Sequence, residues 1–511
     1  MSRAHVHALA HPHAHRIAGV LAAALVLLAL AASGLIGQDA PRTLSLADAV
    51  GLAKRNNPGF LSIRNDQEVS DWQVREAYAS FLPTVNASAG MTYQEPGSQR
   101  IGTIDFGSAT TDYVFSNYGL SLNWNLDGGT MFAVSSARAG REATQARIRS
   151  AEFDLEAAVT LQYMAALRGR DVVDVARRQL DRAQQNLSLA TVRAEAGAVA
   201  MVDAKKAQVE RGRAEVALIQ AERGYRAEKL RLTQQLGVEI AEVELVTGAE
   251  PFAPAFTLDD LLAQALSAHP SLLAAQARES AGRATLRQAR SGYFPSLNLS
   301  TGLRGNAVEA LDKDYLVTQA EQGVSNQRDS CEFLNAVSAG LSRPLAGYPK
   351  SCGQYALSDA QRLAVVQGSE VFPFDFTKNP LLLSLTVSVP VFNGFATQRQ
   401  IEQAAASAKD ASEARRAEEL RLRTAVTQAY DNLTTQYQLI GLEQGNRQLA
   451  EEQLTLARQR YALGAANIIE LLDAQTSVQT AERDYLNALY DFQINLAILE
   501  GASGVRLRPA S

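Results

Sequence analysis

Six histidines and two cysteines are the residues of this 511-residue chain best suited to chemistry, and their placement removes most options. Five of the histidines (His5, His7, His11, His13 and His15) form an N-terminal tract that resembles a metal-binding run. The tract belongs to a segment where Arg3 and Arg16 precede an apolar stretch, Ile17 to Leu30, followed by small residues, Ala29-Leu30-Ala31-Ala32-Ser33. That order reads as a cleaved secretory signal of about residues 1–35, cut between Ala31 and Ala40. The apolar stretch is short for a membrane-spanning helix, and no cysteine near the cut suggests a lipid anchor. A removed tract binds nothing in the mature protein, which keeps only His269. Multi-histidine zinc sites are thereby excluded, and Ser-His-Asp chemistry would hang on one residue. HExxH, Walker-type phosphate loops and GxSxG elbows are absent. No catalytic residue, metal site or cofactor is expected, and the chain does not read as an enzyme.

Cys331 and Cys352 lie twenty-one residues apart in an exported chain, where a disulfide persists; a bridge is favoured over a catalytic pair. Glu470 and Asp473 stand one helical turn apart and by residue type alone read as solvated helix-face charges. His269 precedes Pro270 at a helix joint and reads as a cap or packing residue. The net charge of −5 carries no dense basic patch, which argues against a nucleic-acid partner.

The elements that hold these residues are long helices. Aromatic content is 6% against 46% hydrophobic, and Ala-, Leu- and Val-rich chains of this kind favour extended helices over large mixed cores. The chain is also written twice. At an offset of 212, Leu46 falls on Leu258, Pro58 on Pro270, Pro83 on Pro295 and Asn86 on Asn298. At an offset of 267, Tyr163 falls on Tyr430, Arg193 on Arg460, Gly197 on Gly464 and Gln208 on Gln475. The first repeat covers about 44–250 and the second about 256–501. The 55-residue difference between the offsets places an insertion between about Arg304 and Asn379, read as a surface loop over 305–380 that holds both cysteines.

Proline is absent from Gly97 to Glu250 and from Val391 to Arg508. Two uninterrupted helices are predicted over about 129–196 and 394–463, each roughly 100 Å at about 1.5 Å per residue. Each ends at a glycine, Gly197 or Gly464, suited to a left-handed C-cap, and a return helix follows over about 199–236 or 467–499. Leu442, Leu449, Leu456 and Leu463 repeat every seven residues, and Tyr485, Leu489, Phe492, Leu496 and Leu499 alternate steps of four and three; both read as coiled-coil seams.

Four segments switch to a period of two: about 84–93, 118–127, 296–304 and 382–391. Each has one apolar and one polar face and the length of an outer-membrane strand, about 9–11 residues. A half-buried soluble sheet alternates in the same way. Lipid on one face and water on the other is favoured, and since lipid forbids an open edge, four strands must oligomerise to close. Trp124, on the apolar face, reads as a membrane-interface anchor, and Trp72 as helix packing.

In this order and twice over, the residues resemble the TolC family of outer-membrane efflux proteins. The marks are Leu46 to Pro58 and Leu258 to Pro270, the Phe-Leu-Pro and Tyr-Phe-Pro joints, and Arg460-Tyr-x-x-Gly followed by Leu471-Leu-Asp-Ala-Gln475. The resemblance implies a membrane α+β fold: a trimeric twelve-stranded outer-membrane β-barrel, four strands per chain, continued by a periplasmic helical coiled-coil barrel. It implies an outer-membrane location, a passive exit duct for substrates of an inner-membrane efflux pump or ABC exporter, and a periplasmic adaptor as partner. Small-molecule efflux is favoured over type I protein secretion, with a soluble periplasmic coiled-coil scaffold as a further alternative. Tyr461, Glu470 and Asp473 match positions where the family places a gating tyrosine and a ring of acids at the tunnel mouth; Asp203 is the first-repeat counterpart of Glu470. Gly197, Gly464, Arg193 and Arg460 are the tips of the helix turns and the docking positions for the adaptor. Two positions depart from the family's pattern. Ala465-Ala466 occupies the turn, and Lys206 replaces the second acid in the first repeat.

Overall fold

The computed structural model describes residues 43–101, 104–109, 111–239, 244–246 and 250–508; the expected signal segment and its five histidines lie outside them. The chain divides into two compact units. Of the described residues, one consists of 43–65, 148–270 and 419–508, the other of Asp66–Arg147 and Ser271–Glu418.

The first half supplies helices α1 (Leu46–Asn56), α2 (Pro58–Ala79), α3 (Gly128–Glu195) and α4 (Met201–Leu236). The second half supplies α5 (Leu258–Ala268), α6 (Pro270–Arg290), α7 (Lys313–Gly340), α8 (Asp359–Gly368), α9 (Ala396–Ala462) and α10 (Ile468–Ser503). Both offsets reappear in these bounds: α5 repeats both ends of α1 at 212, and α10 repeats both ends of α4 at 267. The same chemistry starts the short helices. The hydroxyls of Ser45 and Thr257 accept from the backbone N–H groups of Asp48 and Asp260, at 3.2 and 3.3 Å. Such a cap stabilises a helix start by about 1 kcal/mol. Gly237 and Gly504 end α4 and α10 in the left-handed conformation, with φ of 70° and 77°.

In the first unit, strands β1 (Thr43–Leu44) and β6 (Glu244–Leu245) pair in parallel. Three buried clusters hold its helices. The first joins Leu44, Val159, Tyr163, Leu167 and Leu236. A second gathers Leu454, Tyr461, Ile468, Leu471 and Val478, and a third Leu261, Val426, Leu433, Phe492, Leu496 and Leu499. The seam on α10 is thus buried at Phe492, Leu496 and Leu499. On α9 the seam is a different heptad from the one the leucines mark. Val426, Leu433, Ile440, Leu454 and Tyr461 are buried, whereas Leu442, Leu449, Leu456 and Leu463 are 59–85% exposed in the single chain. Two residues of offset rotate a stripe by about 200° around a helix, which puts the leucines on the opposite side.

In the second unit, β2 (Thr84–Gln94), β5 (Tyr113–Leu126), β7 (Ser296–Ala310) and β9 (Leu382–Ser388) form an antiparallel sheet in that order, with β8 (Thr377–Lys378) also on β7. A separate hairpin joins β3 (Gly97–Ile101) and β4 (Ile104–Ala109). The register brings like residues together. Val85 faces Leu122, Trp124 faces Leu299 and Leu299 faces Leu385, while Asn123 faces Ser300 and Ser300 faces Ser384. One face is therefore apolar and the other polar, and β2 and β9 are its edges. The middle strands reach beyond the alternating runs, to Tyr113 and Ala310, and the last stops before Pro390, whose ring nitrogen offers no donor.

The insertion expected as a surface loop over 305–380 carries two helices, α7 and α8, which make up about half of it. The Asp312 carboxylate caps α7 by accepting from Asp314 and Tyr315, and Ser358 with Gln361 forms a capping box that starts α8. Cys331, on α7, is bonded to Cys352 with S–S 2.06 Å. Trp72 on α2 is 58% exposed in the single chain, with the Arg75 guanidinium 4.5 Å from its ring centroid.

Candidate functional site: the two helix turns

Both long helices stop in the same way. After α3 the N–H of Ala198 donates to the carbonyl of Arg193 at 2.9 Å and that of Gly197 to Ala194 at 3.0 Å. After α9 the N–H of Ala465 donates to Arg460 at 2.8 Å and that of Gly464 to Tyr461 at 3.1 Å. These paired bonds are a Schellman motif, and the glycines meet its left-handed requirement with φ of 73° and 79°. The motif satisfies orphaned carbonyls, and five residues separate one helix from the next at each turn.

The return helices differ at their starts. The Asn467 side chain caps α10 and accepts from the Glu470 N–H at 3.0 Å, whereas Ala200 at the matching position of α4 has no side-chain cap. The second turn is thus the more firmly closed. Asn467 followed three residues later by Glu470 is an N-terminus signature readable in the sequence.

Charge at the second turn is arranged within the chain. Arg460 Nη1 donates to Glu470 Oε1, and Arg460 Nη2 reaches the Ala465 carbonyl at 3.5 Å. The two side chains are 57% and 40% exposed, so the pair contributes little stability, about 0–1 kcal/mol. Asp473, one turn further, is exposed and makes no side-chain ion pair among the described residues. Glu470 and Asp473 are therefore unequal, one locally neutralised and one free. At the first turn Asp203 is half-buried and Lys206 exposed.

Tyr461 ties the two turns together. It is fully buried, and the Arg193 guanidinium of the first turn lies 5.0 Å from its ring centroid. Burial pushes the phenol pKa up, the Asp203 charge adds to the rise and the Arg193 charge opposes it. The hydroxyl is buried without a hydrogen-bond partner among the described residues. The surrounding cluster takes Ala190 and Ala207 from the first helix pair and Leu454, Ala457, Ile468, Leu471 and Ala474 from the second. Alanines let the four helices approach closely there.

Beyond Tyr461 along the same bundle lie polar contacts that the sequence reading missed. Asn186 Nδ2 donates to Gln475 Oε1, and Arg182 pairs with the buried Glu482. Burial pushes the Arg458 guanidinium pKa down, with the Arg182 charge adding to the effect. Their sequence spacing gave no signal, since the partners are about 300 residues apart.

The other candidates lie elsewhere. His269 is buried at the end of α5, its Nε2 3.0 Å from the Gly501 carbonyl and its ring edge-on to Phe153. Trp124 Nε1 donates to the Phe81 carbonyl at 2.9 Å, at the joint between helix and strand. The Cys331–Cys352 bridge belongs to the second unit, the turns to the first.

The profile of the outer membrane efflux protein family matches residues 49–238 and 360–505, leaving out most of the insertion. The chain is 30% identical over 273 residues to protein CyaE of Bordetella pertussis, a match spanning 52% of this chain and 56% of that protein. It is 22% identical to outer membrane protein TolC of Escherichia coli over 92% of this chain and 85% of that one. The structure of outer membrane protein VceC from Vibrio cholerae superposes with a TM-score of 0.64 at 15% identity, covering 91% of this chain and 97% of that one.

Proposed function

We propose that this chain, which belongs to the outer membrane efflux protein family, is the outer-membrane exit duct of a tripartite export system. The observation that carries the reading is the sheet: four strands, one apolar face, one polar face and two unpaired edges at β2 and β9. Lipid tolerates no open edge, so the edges must be met by other copies of the chain. Three copies give a closed barrel of twelve strands, lipid outside and water inside. The exposed leucine stripe on α9 supports the same assembly, since it offers each chain a second apolar seam for a neighbour. Among the described residues no helix is long and apolar enough to cross a membrane.

In this reading the duct is passive, as befits a family of transport proteins rather than enzymes. An inner-membrane pump loads it through a periplasmic adaptor that docks near Gly197, Gly464, Arg193 and Arg460, and small molecules are its cargo. The two turns form the periplasmic gate, with Tyr461 packed at its centre. Asp473 supplies the free negative charge at the mouth, and the charge of Glu470 is balanced by Arg460. Purified protein inserted in planar lipid bilayers tests the reading: discrete, cation-favouring conductance steps are expected from a detergent-extracted trimer. A soluble periplasmic monomer without conductance overturns it.

A further inference from the structure

The helical insertion returns to the sheet through a short segment, Val371–Phe376, that is strapped to one face. Glu309 on β7 accepts from the N–H groups of Val371 and Phe372 at 3.0 and 2.8 Å while holding Lys313 at 2.8 Å. Ser116 on β5 donates to the Pro373 carbonyl at 2.7 Å. Phe376 stands edge-on to Tyr118 with centroids 4.8 Å apart. The sheet register decides which face this is. Ser116 and Tyr118 alternate in phase with Leu120, Leu122 and Trp124, and Glu309 with Leu303, Leu299 and Leu297, so the strap lies on the apolar face. Phe374 is 75% exposed and Phe372 37% exposed, both in the strap.

Distance along the strand gives the height. Trp124 lies at the helix-strand joint, eight residues from Ser116 and ten from Val114, which faces Glu309. At about 3.4 Å per residue and a tilt of about 40°, those steps rise about 20 and 26 Å. The apolar band of an outer-membrane barrel is about 25 Å tall and is flanked by aromatic girdles on both sides. Leu120 and Leu122, with Leu303, Thr301 and Leu299 beside them, fill the interval.

We propose that the strap Val371–Phe376 is a membrane anchor in the outer leaflet, with Phe372 and Phe374 seated at the boundary between lipid headgroups and acyl chains, opposite the level of Trp124. The inference rests on the barrel reading above. It assigns the insertion a partner, membrane lipid, and explains why a segment leaving a water-facing helical insertion turns bare phenyl rings outward. The strap holds the insertion against the outside of the barrel wall as lipid holds the strap.

Tryptophan quenching in vesicles of phosphatidylcholine brominated at defined acyl depths tests it. In a Trp72→Phe, Trp124→Phe, Phe374→Trp chain, the new indole is expected to be quenched by shallow bromines, and its access to aqueous iodide to fall severalfold from detergent to vesicle. A Trp72→Phe chain keeps Trp124 as the internal reference. An indole at 374 that stays open to iodide, or is shielded from iodide and bromine alike, overturns the anchor if Trp124 is bromine-quenched. If Trp124 is not quenched either, the barrel reading falls with it.

Discussion

Removing Arg460 should make the duct more cation-selective, because it releases a carboxylate that the chain itself neutralises. Arg460→Ala leaves Glu470 unpaired in each chain, three additional negative charges at the proposed mouth of a trimer. At a distance of about 10 Å, one Debye length in 0.1 M salt, a unit charge in water acts with about 0.4 kcal/mol, reduced to about 0.15 by screening. Three act with about 0.45 kcal/mol, enough to double the local cation concentration and halve that of anions. The cation-to-anion permeability ratio, read from reversal potentials in a potassium chloride gradient, should rise about fourfold. Glu470→Ala and Asp473→Ala should each lower it by a similar factor. The double variant Arg460→Ala, Glu470→Ala removes a neutral pair and should select like the parent. Heat resistance of the trimer should hardly change in any of them, since an exposed pair contributes about 0–1 kcal/mol. An Arg460→Ala channel with unchanged or weaker cation selectivity, or a double variant that departs from the parent, refutes the reasoning.

Tyr461→Phe keeps the ring under Arg193 and removes a buried hydroxyl with no partner among the described residues; relief of about 1–3 kcal/mol of desolvation should raise the thermal midpoint in detergent without raising conductance. A rise in conductance instead would mean that a neighbouring copy bonds this hydroxyl. Gly464→Ala should destabilise more than Gly197→Ala in the same melts. Both force alanine into the left-handed region, at about 1–2 kcal/mol, but a Cβ at 464 also comes within 3.3 Å of Arg193 Nη2, whereas at 197 the space is open. Reducing the Cys331–Cys352 bridge should leave conductance unchanged and speed tryptic cleavage after the exposed Lys350, because the bridge closes a loop whose constraint contributes about 3 kcal/mol locally.

What the sequence made legible follows from which signals are local. Gly197 and Gly464 announced both turns because a left-handed C-cap is a one-residue requirement. Alternation announced which strand residues share a face because its period is exact over a few residues. Phase between stripes is not local: Leu442 to Leu463 and Val426 to Tyr461 are both heptads, and periodicity alone does not say which one the chain buries against itself. The helices of the insertion were not legible for a related reason: the unequal offsets give its length and place but say nothing of its local structure, and the caps at Asp312 and Ser358 are single-residue signals outside the repeat.

The pairing of Arg460 with Glu470 stayed hidden in the same way, and the geometry now explains it. A Schellman turn brings the third residue before the helix end over the third residue of the next helix, so Arg460 meets Glu470 ten positions on. The first turn places Arg193 and Asp203 at the same two positions. Asp203 is one methylene shorter and follows a helix start without a side-chain cap, and there Arg193 lies over the ring of Tyr461 from the second turn. One repeat therefore keeps its charge pair to itself, while the other lends its cation to hold the two turns together. Restoring the missing methylene tests this division: Asp203→Glu should draw Arg193 toward its own turn, loosen its hold on the Tyr461 ring and raise conductance through the proposed gate. Parent-like conductance in that variant would show that the grip of Arg193 on Tyr461 does not depend on the length of the acid.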